Sequence, residues 1–94
     1  MRIEHMTALT TIENTGRNMT RAAAKLGVSQ PSLSKQIIQL ENELGHKVYL
    51  RNGKRLTQLT PAGEICNAAF STILRILTVL PPQLEAAEAR DTFD

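Results

Sequence analysis

Cysteine is nearly absent from this sequence: Cys66 is the only one in 94 residues. No internal disulfide can form, and so sparse a usage is ordinary for a reducing, intracellular setting, with Cys66 as a small buried residue. Aromatics are almost as scarce, with one tyrosine, two phenylalanines and no tryptophan. The core therefore falls to Leu, Ile, Val, Ala and Met, a palette suited to packed helices. No continuous run reaches the roughly 18–20 apolar residues that a bilayer-crossing helix needs, and Met1 to Thr10 lacks the basic-then-apolar pattern of a secretion signal. The expectation is a cytoplasmic protein with no membrane partner.

Catalytic and metal-binding sets are missing too. His5 and His46 have no Cys, Asp or second His at ligand spacing. No Ser/His/Asp, Cys/His or paired-carboxylate arrangement is visible, nor a Gly-rich phosphate loop. No enzyme activity, cofactor or metal is expected. Internal repeats, low-complexity tracts and Gly/Ser linkers are absent from the first 80 residues, and the length allows one compact domain plus an appendage.

What the sequence does have is charge sorted by region. Between residues 17 and 55, Arg17, Arg21, Lys25, Lys35, Lys47, Arg51, Lys54 and Arg55 face only Glu41 and Glu43. Beyond residue 60 the sign reverses, with Arg75 and Arg90 against Glu64, Glu85, Glu88, Asp91 and Asp94. A basic segment is the footprint of a surface that neutralises phosphates, although a solvated face has the same count.

Periodicity and punctuation give the elements. Ile3, Met6, Leu9 and Ile12 form an apolar stripe on a first helix over Arg2 to Asn14, with Gly16 as its cap. A short helix follows over Met19 to Leu26, capped by Asn18 or Thr20 and favoured by three alanines. Gly27 turns the chain, and Ser29 caps a third helix with Pro31 in its first turn, buried through Leu33, Ile37, Leu40 and Leu44 and closed by Gly45. Lys47 to Leu50 and Leu56 to Leu59 read as strands, with Val48, Leu50, Leu56 and Leu59 facing inward around an Asn52-Gly53 turn. Thr60-Pro61 starts a long helix that Pro81-Pro82 stops at Leu80. That helix has two apolar stripes, Ile65, Ala69, Ile73, Ile76 and Leu80 beside Cys66, Phe70, Leu74 and Leu77. One stripe can pack on its own domain, which leaves the other for another chain.

Small Ala23, Gly27 in the turn, and Leu33 and Ile37 on the following helix together fit the spacing of a helix-turn-helix. On a wheel of 100° per residue, Leu33, Ile37, Leu40 and Leu44 share the inward side, so Pro31, Ser34, Lys35 and Ile38 point outward. Such a face can enter a major groove. Gln30 can pair with adenine N6 and N7, Lys35 can reach guanine or a phosphate, and Ser34 can reach either. Arg51, Lys54 and Arg55 surround the tip of the wing, where they can grip phosphates or enter the minor groove.

Ala-Ala-Ala-Lys-Leu at 22–26, Val-Ser-Gln-Pro-Ser-Leu-Ser-Lys-Gln-Ile at 28–37, Leu-Glu-Asn-Glu-Leu-Gly at 40–45 and Leu-Thr-Pro-Ala-Gly at 59–63 resemble the N-terminal domain of the LysR-type transcriptional regulators, over about Ile3 to Leu80. The resemblance implies a mainly α winged helix-turn-helix in residues 1–60, a linker helix over 61–80 that pairs antiparallel with that of a second subunit, and a hinge segment over 81–94 toward an effector-binding domain. It implies sequence-specific binding of double-stranded DNA by a homodimer, a higher oligomer in the full-length protein, and a small-molecule effector only through that further domain. Gln30, Pro31, Ser34 and Lys35 would meet the major groove, and Arg51 and Lys54 the backbone. Thr20, Ser29, Ser32, Ile38 and Arg55 complete the expected DNA-binding set, and Ile65, Ala69, Phe70, Ile73, Ile76, Leu77 and Leu80 form the expected dimerisation set. The wing is also similar, over a short stretch, to the branch that controls cysteine biosynthesis. Two positions depart from the family pattern. Leu9 stands where an aromatic is common. Ile38 stands where Lys or Arg is frequent, so a phosphate contact is either missing or replaced by contact with a thymine methyl. The competing reading is a winged-helix interaction module that dimerises without binding DNA.

Overall fold

Side-chain caps set where every helix but the first begins. The computed structural model describes residues 1–91, in the order α1 (Ile3–Asn14), α2 (Met19–Leu26), α3 (Gln30–Leu44), β1 (Tyr49–Asn52), β2 (Arg55–Leu59) and α4 (Pro61–Asp91). Asn18 accepts from the Arg21 amide to cap α2, and Ser29 accepts from the Ser32 amide to cap α3. Gly27 and Gly45 end these two helices in the left-handed conformation. The architecture is a mainly α winged helix-turn-helix with a two-stranded antiparallel wing and a long C-terminal helix.

The core gathers Ala8, Leu9 and Ile12 from α1, Ala22 and Ala23 from α2, Leu33, Ile37 and Leu40 from α3, then Val48, Tyr49, Leu56 and Phe70. Ile3, expected on the α1 stripe, is exposed. An exact three-residue spacing drifts off a helix of 3.6 residues per turn, so the buried face instead centres on His5, Ala8, Leu9 and Ile12. Helix α1 is capped by Thr15 rather than Gly16, and Gly16 and Arg17 both come next with positive φ. Among the described residues Arg17 is the one non-glycine so placed. Its side chain holds Glu13 through two nitrogens and the Thr57 carbonyl through a third.

The wing departs from the expected register. Its two-residue loop is Gly53-Lys54, not Asn52-Gly53, and Asn52 pairs with Arg55. Gly53, with φ +63° at the first central position, suits a primed turn that matches strand twist. Leu50 points outward and Tyr49 inward, because Val48 and Tyr49 are buried in succession where the chain enters the strand and the alternation starts at Tyr49. The Tyr49 hydroxyl donates to Glu13 at 2.7 Å. Burial first, and the Glu13 carboxylate second, push this phenol well above its ordinary range.

Thr60 pins the start of α4: its amide donates to the Val48 carbonyl, its hydroxyl donates to the Lys47 carbonyl, and the same oxygen accepts from the Gly63 amide. A Cβ built on Gly63 would stand 2.1 Å from the Val48 oxygen, so only a glycine allows this approach. Farther along, Phe70 is buried in the domain core, and burial pushes the Cys66 thiol up.

Two expectations about α4 are corrected. Pro81 and Pro82 do not stop it, and it runs to Asp91. Inside a helix each proline removes one backbone hydrogen bond and crowds the preceding turn, but Gln83 to Arg90, rich in Ala, Glu and Leu, supplies strong helix formers directly after the pair. Of the segment expected as a hinge, residues 81–91 are therefore helical, and Thr92 to Asp94 lie outside the described residues. Also, although no unbroken apolar run exists, the stretch Pro61–Arg90 is long and apolar enough, by length and composition alone, to cross a bilayer, and little of it is covered by its own chain. Small and weakly polar residues between the Leu and Ile positions raise its average without forming a run.

Gly63→Ala should lower unfolding stability by about 1–3 kcal/mol, the range for inserting a group into filled space. Urea titration measures it, and an unchanged midpoint would mean that α4 does not seat on Val48.

Candidate nucleic-acid interface

The pairing of α2 with α3 brings most of the expected groove-facing residues together. Ala22 and Ala23 are buried where the helices meet, small enough to let the α3 N-terminus project. The Gln30 amide nitrogen donates to the Thr20 hydroxyl at 2.9 Å, so one helix orients the polar tip of the other. An open groove of about 960 Å³ is lined by Met19, Gln30, Pro31, Ser34, Lys35, Ile38, Arg51, Gly53 and Lys54. Recognition helix and wing thus form its two walls.

Each expected residue has a definite place. Gln30, Pro31, Lys35 and Ile38 are exposed along the groove, and Ser34 is half-buried there. Thr20 adjoins the groove through Gln30. Ser29 and Ser32 are exposed but share a hydrogen bond of 3.0 Å within the cap. Lys54 lines the wing side, whereas Arg55 is exposed off the lining. Among the described residues Lys35, Lys54 and Arg55 make no ion pair, so their charge is free for an anionic ligand.

Arg51 differs from the expectation of a free phosphate grip. Its Nη2 donates to Glu41 Oε1 at 3.1 Å, and Glu41 itself is buried. The other oxygen, Glu41 Oε2, accepts from the Val48 amide at 2.9 Å and the Tyr49 amide at 3.5 Å. The carboxylate joins the last turns of α3 to the entry of the wing, a role that sequence reasoning missed. One signal was available: on the helical wheel Glu41 lies about 80° from Leu33, at the border of the buried side.

The dimerisation set divides. Ile65 is 72% and Ile76 55% exposed, and Ala69, Ile73, Leu77 and Leu80 are exposed as well. Phe70 is 3% exposed. It belongs to the stripe that packs on its own domain and is removed from the free face. Val79 and Leu84 extend that face beyond the residues expected.

Elsewhere, Arg2, His5, Gln39, Asn42 and Glu43 line a polar hollow, where His5 Nε2 lies 3.3 Å from the Gln39 side-chain oxygen. Among the described residues no three His, Cys, Asp or Glu side chains gather as a metal site.

Residues 3–64 match the family described as bacterial regulatory helix-turn-helix protein, lysR family. The chain is similar to the HTH-type transcriptional regulator CysB of Burkholderia cenocepacia, 48% identical over 58 residues that cover 62% of this chain and 18% of that protein. It spans about a fifth of the length of the curated relatives first in similarity. Among solved structures it resembles the CbnR_DBD–DNA complex, with TM-score 0.82, 30% identity and coverage of 94% of this chain and 99% of that one. It also resembles the BenM_DBD complex with benA site 1 DNA, with TM-score 0.83, 27% identity and coverage of 94% and 97%.

Glu41→Ala should cost on the order of 1–3 kcal/mol, as expected when a buried amide loses its acceptor, and should free the Val48 amide to exchange with solvent ahead of the α1 amides. Hydrogen exchange reads both regions at once. Equal protection at Val48 in variant and parent would show that the carboxylate does not hold the wing.

Proposed function

The chain belongs to the lysR family of bacterial regulatory helix-turn-helix proteins, and we propose that it is the sequence-specific DNA-binding domain of a transcriptional regulator and binds duplex DNA as a homodimer with α3 in the major groove and the wing on the backbone or the adjacent minor groove. The observation that carries this reading is the groove itself, where the polar N-terminal turns of α3 and the unpaired Lys35 and Lys54 open on the same side. A major groove about 12 Å wide admits a helix in that position. Gln30 and Ser34 then present hydrogen-bonding groups to base edges, Lys35 reaches guanine or phosphate, and Lys54 and Arg55 meet phosphates on either side of the wing tip. Arg51 shares itself between Glu41 and the backbone. The Thr20 hydroxyl, beside Gln30, fixes the amide before the duplex arrives.

The homodimer is supported by α4. Among the described residues beyond Leu74, Ile76, Leu77, Val79, Leu80 and Leu84 are exposed, and Ile65, Ile73, Ile76 and Leu80 continue one face along the rod. A second copy laid antiparallel covers that face with its equivalent, as a two-fold interface requires. A bilayer is a poorer cover, because Gly63 and Phe70 hold one side of the helix against the domain and Glu64 and Arg75 interrupt the apolar surface. A cytoplasmic setting fits a partner that is chromosomal DNA. The similar proteins are regulators, in keeping with a role in binding rather than catalysis.

Fluorescence anisotropy with a dyad-symmetric duplex tests the reading. Affinity should fall steeply as salt rises, because phosphate contacts release counterions; a salt-independent affinity would refute it. Lys35→Ala should shrink the preference for selected over random DNA by roughly 1–3 kcal/mol, whereas Lys54→Ala should weaken all duplexes alike and lower the salt slope by about one. Equal losses on both kinds of DNA for both variants would overturn that division of roles. Ile76→Asp should convert the dimer to a monomer in sedimentation without changing the helical circular dichroism of the domain, and a dimer that persists would move the interface away from α4.

A further inference from the structure

Among the described residues of α3, Ile38 is the one large hydrophobic side chain left exposed, at 45%. It lies in the groove between α3 and the wing, two turns after Pro31 on the same edge of the helix and one turn after Ser34 and Lys35. Among the described residues nothing closes over its exposed side. Nearby Arg51 is drawn back to the buried Glu41, so this stretch of the groove wall offers hydrocarbon beside the hydroxyl of Ser34 and the ammonium of Lys35, with Pro31 and Met19 as the other apolar groups of the lining.

We propose that Ile38 is a specificity-determining residue that reads thymine through its C5 methyl group. The inference rests on the proposed DNA binding and deepens it by naming the base chemistry preferred at one position. On the floor of the major groove the thymine methyl is the apolar group, whereas the other base edges present hydrogen-bond donors and acceptors. Ile38 can satisfy none of these. Pressing it onto a cytosine amino group would desolvate a donor with no partner, while pressing it onto a methyl removes two apolar surfaces from water at once. Since Ser34 and Lys35 flank Ile38 on the helix, the thymine it reads adjoins the bases that those two side chains face. A partner protein seated on Ile38 is the other occupant of such a patch, and base analogues separate the two.

The chain is used to select its preferred duplex from a random pool. Each thymine of that duplex is then replaced singly by deoxyuridine, which deletes the methyl and keeps every hydrogen-bonding group, and affinity is measured by fluorescence anisotropy. One thymine in each half-site should lose about fourfold on replacement, the equivalent of one buried methyl-sized group, and 5-methylcytosine should bind better than cytosine at that position. Ile38→Ala should bind the thymine and deoxyuridine duplexes equally, and Pro31→Ala should keep the discrimination at that thymine. Because Ile38 is exposed, its variant is expected to fold, which circular dichroism checks. Indifference to every methyl in the parent chain, or a discrimination that survives Ile38→Ala, overturns the proposal while leaving DNA binding intact. Failure to enrich any duplex overturns the DNA-binding reading and this proposal with it, and favours a protein partner on Ile38.

Discussion

Glu41 stands near the end of α3 with its carboxylate enclosed, and its oxygens take the amides of Val48 and Tyr49 on one side and the Arg51 guanidinium on the other. A buried charge is costly unless donors surround it, so the chain leaving Gly45 has to return past this carboxylate. That requirement fixes the position of Val48, and Val48 in turn seats α4. Its side chain enters the core, while its carbonyl receives the Thr60 amide and lies against Gly63. Recognition helix, wing and C-terminal helix are joined in series through a few residues around one acid.

A second acid supports the wing from the opposite side. Glu13, on α1, accepts from the Tyr49 hydroxyl and from two nitrogens of Arg17, whose third nitrogen reaches the Thr57 carbonyl on β2. Arg17 sits in the left-handed region, which costs a non-glycine residue about 1–2 kcal/mol. The contacts of its guanidinium offset that strain and tie the α1–α2 turn to both strands. The hairpin, a weak structure alone, is thus held at Tyr49 by Glu13 and at Val48 by Glu41, and its tip is left free to carry Lys54.

Much of this was legible in the sequence, for a local reason. Asn18, Ser29, Thr60, Gly27 and Gly45 act on backbone groups a few residues away, so their types and spacing announce helix ends directly. The outward face of α3 was legible for the same reason, since Leu33, Ile37 and Leu40 define its opposite. Contacts made at long range were not. Glu41 counts in the sequence only as a charge and Glu13 carries no signal there, because their partners lie on strands whose register the sequence leaves open. Burial of Val48 and Tyr49 in succession made Tyr49 rather than Leu50 the inward residue of the strand. Phe70 was placed in the stripe of Cys66, Leu74 and Leu77 and also among the dimerisation residues, because which stripe packs on the domain is decided only where Gly63 seats α4. The proline pair misled because its cost was weighed without the helix-forming residues after it.

The same chain of contacts bears on how two DNA half-sites would be spaced. A flexible joint between domain and dimerisation helix would let each recognition helix swing, and palindromes of many spacings would be tolerated. Here α4 begins at Pro61, one residue after Thr60 is fixed to Lys47 and Val48, and Gly63 allows no gap. In a dimer joined along α4, the orientation of α3 is therefore transmitted through Glu41 and Val48 to the partner with little slack. Half-site separation becomes a property of the rigid protein, and a duplex of another spacing has to bend to fit, at an elastic cost of order 1–6 kcal/mol for bends of about 40–90°. Discrimination then arises from spacing as well as from the bases that Gln30, Ser34 and Lys35 face.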